Sequence, residues 1–63
     1  MSEMRKVFVL RKGNHEVVFN IGEKALVQHR DLQIGKVDAQ WLSIAAARAD
    51  WKKFVAAGYV EVK

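Results

Sequence analysis

Two runs rich in β-branched and aromatic side chains, residues 5–11 and 15–21, flank the pair Gly13-Asn14. Such a pair supplies the positive φ angles of a tight two-residue turn, so residues 5–21 are expected to form a β-hairpin. The turn dictates the register: Lys12 opposite His15, then Arg11 with Glu16, Leu10 with Val17, Val9 with Val18 and Phe8 with Phe19. One face then carries Phe8, Leu10, Val17 and Phe19, with Ile21 beyond. The other carries an Arg11–Glu16 charge pair beside Val7, Val9 and Val18. Three valines are much apolar surface for a side facing water. Either the rest of the chain covers them or they form a contact surface.

The end of the chain is as clearly patterned. Trp51, Phe54 and Val55 recur at helical spacing, Gly58 stands where a helix takes a left-handed residue after its last turn, and residues 59–62 alternate as a strand does. Between these ends the pattern is weaker. Residues 24–29 favour a third strand, with Leu26 on one face and Ala25 and Val27 on the other, although a helical turn also fits. Residues 30–37 mix polar residues, a glycine and scattered apolar ones, and read as a connecting loop anchored by Leu32, Ile34 and Val37.

From Ala39 onward good helix formers dominate, with Asp38 as the expected N-cap. One continuous or slightly kinked helix places Lys52 and Lys53 toward its C-terminal half, whereas a second helix capped by Asp50 puts them against the positive end of its dipole. The continuous form carries a seam of Trp41, Ile44, Arg48, Trp51 and Val55. The fold class is α+β, a small single domain over residues 1–63. It has an N-terminal hairpin with a third strand, a long or broken helix from about residue 39 to 57, and a C-terminal strand that returns to the sheet. The helix is expected to bury Trp51, Phe54 and Val55 against Phe8, Leu10, Val17 and Phe19.

A chain of 63 residues builds only a small core, and without cysteine no disulfide framework or cysteine-ligated zinc assists it. Stability borrowed from a partner or from further copies of the chain is expected. No apolar run reaches bilayer-spanning length and the first residues lack a signal-type cleavage site, so a cytoplasmic protein with no membrane association is expected.

Candidate chemistry changes the picture little. Ser2 and Ser43 lie in no nucleophile elbow, the carboxylates are scattered, and Gly13, Gly22, Gly35 and Gly58 are isolated, so no phosphate-cradling loop is present. His15 and His29 approach each other if the second and third strands pair, but a metal site needs further ligands, such as Asp31 or Glu16, at a recognised spacing. No catalytic or metal site, cofactor or small-molecule substrate is nominated. A non-enzymatic protein is expected.

The formal charge of +4 suits an anionic partner such as nucleic acid. In that alternative the hairpin tip acts as a wing through Arg11, Lys12, Asn14 and His15, while Arg48, Lys52 and Lys53 on the helix meet a second phosphate backbone. The bland alternative is a solvated basic surface, since acids punctuate the chain. Trp41 and Trp51 are read as core bulk, with Trp41 at the helix start the first candidate for an interface anchor. The alanines at 45–47 and 49 offer a narrow surface for close approach.

A short chain that opens with Arg-Lys-Val-Phe-Val-Leu-Arg-Lys-Gly and closes on Lys-Phe-Val-Ala-Ala-Gly-Tyr-Val-Glu-Val resembles the small accessory and virion-associated proteins of tailed bacteriophages. The likeness covers about the first twenty and last fourteen residues and transfers no functional residue. It implies a protein that acts by binding, as a particle component or a modulator of a host protein, in the host cytoplasm or the virion. The leading expectation is thus a protein–protein interaction module, with a protein partner or a homo-oligomer, docking through Val7, Val9, Val18 and Trp41. The alternative is a small basic nucleic-acid-binding regulator.

Overall fold

The computed structural model describes residues 6–62, so the expected strand start at Arg5 lies outside it. The elements are β1 (Lys6–Lys12), β2 (His15–Ile21), β3 (Ala25–Asp31), β4 (Lys36–Leu42), α1 (Ile44–Ala56) and β5 (Val60–Val62). All five strands join one antiparallel sheet in the order β4-β3-β2-β1-β5. The domain is a small α+β unit with one helix laid on one face of the sheet.

The β1–β2 register is the expected one at every pair from Lys12↔His15 to Phe8↔Phe19. Its turn differs in detail: only Gly13 has a positive φ, 60°, and Asn14 does not. That sign pattern belongs to a type II′ turn, which asks for glycine at its first central position alone.

The main departure is at residues 36–42. The long helix beginning near residue 39 does not form, and these residues are strand β4, paired with β3 along its whole length from Asp31↔Lys36 to Ala25↔Leu42. Asp38 is therefore a strand residue, not a cap, and Trp41 is not at a helix start. Leu32, Ile34 and Val37 do not anchor a loop, since all three are exposed. Residues 32–35 are instead a tight reversal. The Asp31 carboxylate accepts from the backbone N–H groups of Gln33 and Ile34 at 3.0 and 3.3 Å. Gly35, at φ 74°, donates to the Asp31 carbonyl at 2.8 Å. An aspartate that satisfies the turn's N–H groups and a glycine in the left-handed region are what reverse the chain within so few residues.

Alternation along the strands sends Leu10, Val17, Phe19, Ala25 and Val27 to the helix side, where they are buried together with Ala47 of α1. Phe8, Ile21, Leu42, Ile44, Trp51, Phe54 and Tyr59 pack around them. Trp51 meets Phe8 and Phe19 edge-on, each at a ring separation of 5.4 Å, and Phe54 stands 6.3 Å from Phe19. Trp51 and Phe54 thus fill the expected core positions. Val55 does not: it is 48% exposed.

The helix is delimited by side chains and by backbone geometry. Ser43, at extended φ and ψ, accepts a hydrogen bond from the Ala46 N–H on its Oγ at 3.2 Å, satisfying a donor with no partner inside the first turn. Ser43→Ala should lower stability by about 1 kcal/mol, seen as a fall in Tm of about 4–8 °C for a domain of this size. At the other end Tyr59 N–H donates to the Phe54 carbonyl and Gly58 N–H to the Val55 carbonyl, at 3.0 and 3.1 Å. This pair of bonds is a Schellman motif, with Gly58 at φ 102° as its left-handed residue. The Lys12 ammonium donates to the Ala57 carbonyl at 2.6 Å, tying the helix C-terminus to β1. The chain then enters β5, which pairs with β1 through Arg11↔Val60 and Val9↔Val62.

Candidate protein-binding face

With α1 packed on one side, the opposite face of the sheet is left open by the described residues, and the register arranges its side chains in three rows that run across the strands. The first row is Trp41, Leu26, Asn20 and Val7. The second is Ala39, Gln28, Val18, Val9 and Val62, and the third is Val37, Arg30, Glu16, Arg11 and Val60. Nine of these fourteen side chains are apolar, and they concentrate in the first two rows. Trp41 is 66% exposed and Val7 58%, while Val9, Val18 and Leu26 are half-buried. An apolar area this continuous exceeds the scattered exposed hydrophobics of an ordinary soluble surface.

Among the described residues the three rows carry three charges, Arg11, Glu16 and Arg30, with one ion pair between them. Glu16 was expected to pair with Arg11. Its carboxylate lies instead 3.5 Å from the Arg30 guanidinium on the other neighbouring strand, and Arg11 directs its Nε–H to the Gly13 carbonyl at 3.2 Å. The result is an apolar field bordered along one side by a row whose three central positions are charged, with Glu16 paired to Arg30.

Val7, Val9, Val18 and Trp41, singled out from the sequence, are brought together on this one face. Trp41 and Val7 stand in the same row, and Val9 and Val18 are direct partners. Leu26, Val37, Ala39, Val60 and Val62 complete the face and were not singled out. Their signal is the alternation of Val37, Ala39 and Trp41 with Lys36, Asp38, Gln40 and Leu42, and of Val60 and Val62 about Glu61.

The basic residues considered for nucleic acid do not converge in the same way. Arg11 lies on the open face. Lys12 holds the helix C-terminus, and Asn14 donates through its amide to the Gln33 side chain at 3.4 Å. His15 is on the helix side: its Nδ1 is hydrogen-bonded to the Tyr59 hydroxyl, and its ring stacks on His29 at 5.5 Å, at right angles to Tyr59. Phe54 packs against both histidines. The predicted approach of the two histidines is thus realised inside an aromatic cluster, and among the described residues no group of three or more metal-ligating side chains converges. Arg48, Lys52 and Lys53 are exposed on α1. Arg48 also walls a groove of about 540 Å³ with Lys6, Phe8, Ile21 and Trp51.

Among the described residues no helix is long and apolar enough to cross a membrane. No family model matches the chain, and neither does a curated protein or a solved structure.

Proposed function

We propose that the chain is a non-enzymatic protein–protein interaction module whose docking surface is the open face of the sheet. In this reading it works as a structural or assembly component of a phage-like particle, or as a modulator of a host protein. The observation that carries it is the apolar field formed by Trp41, Leu26, Val7, Val9, Val18 and Val62, on a side of the sheet that α1 leaves bare. A 63-residue chain that leaves this much apolar surface on one face gains more from covering it than from any single polar contact. Trp41 is the natural anchor, since a large indole offers contact area at little cost in side-chain entropy.

Replacing Trp41 by alanine should weaken association by about 30-fold, the scale of an interface hot spot, while leaving the melting temperature nearly unchanged. Calorimetric titration or sedimentation, paired with a thermal melt, reads both. Salt provides the counter-test. Apolar docking is insensitive to ionic strength, so binding to unrelated DNA that collapses with added salt and survives Trp41→Ala would overturn the reading in favour of a basic regulator.

A further inference from the structure

We infer that the occupant of the open face is a second copy of this chain, packed sheet on sheet about a two-fold axis that runs across the strands along the row Gln28, Val18 and Val9. The inference rests on the interaction-module reading and names the partner. Its first support is size. Five strands at about 4.8 Å spacing and three rows about 6.6 Å apart make a face of roughly 24 by 20 Å, so a pair of copies buries about 1,000 Å², the lower bound for a specific interface.

Its second support is charge. An axis parallel to the strands through β2, the middle strand of five, would set Glu16 on Glu16 and Arg11 on Arg30, opposing like charges in a drying interface. The axis across the strands exchanges the first row for the third instead. It lays Val18 on Val18 and Val9 on Val9, sets Trp41 over Val37, and brings the Asn20 amide to Glu16 as a donor. Arg11 and Arg30 then lie over Val7 and Leu26, with their guanidinium groups free to reach the rim. Of these two orientations only the axis across the strands is self-complementary, and isologous pairing uses the same patch on both partners.

Because the chain has no cysteine, introduced thiols report their own contacts alone. Sedimentation equilibrium of the full chain should show a reversible dimer that withstands high salt and is weakened about 30-fold or more by Val9→Lys. In a mixture of Val7→Cys and Arg11→Cys chains, a short bismaleimide should join one to the other. Glu16→Cys chains should not join to each other. Efficient crosslinking of Glu16→Cys, or none between Val7→Cys and Arg11→Cys in a sample that is dimeric, overturns the inferred axis and with it the proposal. A chain that stays monomeric at all concentrations, yet captures a different protein in a manner abolished by Trp41→Ala, overturns the second copy and leaves the interaction module standing. If it is monomeric and capture is indifferent to Trp41→Ala, both fall.

Discussion

Phe19→Ala should leave about half of the chain or less folded at room temperature. Phe19 is only 1% exposed, in the central strand of the sheet, with Trp51 and Phe54 both against its ring. Truncating a buried phenylalanine costs about 3–5 kcal/mol, combining lost transfer energy with the cavity left behind. A domain of this length has a total stability of about 3–5 kcal/mol, so the substitution consumes nearly all of it. The measurement is a urea melt followed by far-UV circular dichroism: the wild-type chain gives a full cooperative transition, and the variant starts without a folded plateau, already within or beyond its transition. A variant that melts cooperatively near the wild-type midpoint would show that Phe19 does not occupy the centre of the core.

Trp51→Ala should be the next most damaging change, at about 3 kcal/mol, for a different reason. Trp51 links the helix to two strands at once through Phe8 and Phe19, but one flank of its ring borders the open groove beside Arg48. Removing it enlarges a space that water already reaches, so its cost falls below that of a sealed cavity. The neighbouring Val55→Ala should cost about 0.5 kcal/mol or less, because Val55 is half exposed. Melting the two variants side by side separates a helix held by its tryptophan from one held by its whole apolar stripe.

The ends of this fold and its third strand were legible, and residues 36–42 were not. The hairpin could be read because Gly13 fixes a turn type, the turn fixes a register, and a shift of one residue would turn every apolar side chain to the wrong face. The end of α1 could be read because Gly58 marks a backbone conformation that other residues rarely adopt. β4 could not be read from propensity. Lys36, Asp38, Ala39 and Gln40 are poor strand formers, and Ala39 and Gln40 are good helix formers. What makes them a strand is the complete ladder offered by β3, together with the reversal built from Asp31 and Gly35. Trp41, expected at a helix start, stands in β4. The register of β4 brings it into line with Leu26 and Val7 on the open face.

The two borders of the sheet are unequal, and this limits what uncontrolled growth the molecule can undergo. A foreign strand arriving at β4 finds seven residues of backbone to pair with, whereas one arriving at β5 finds three. Endless head-to-tail filaments need both borders at every joint, so each joint would be held by the shorter ladder. Lys36 and Asp38 also place charges along the longer border, as strands shielded against fibre formation do. The geometry therefore disfavours open cables built by edge-to-edge strand pairing.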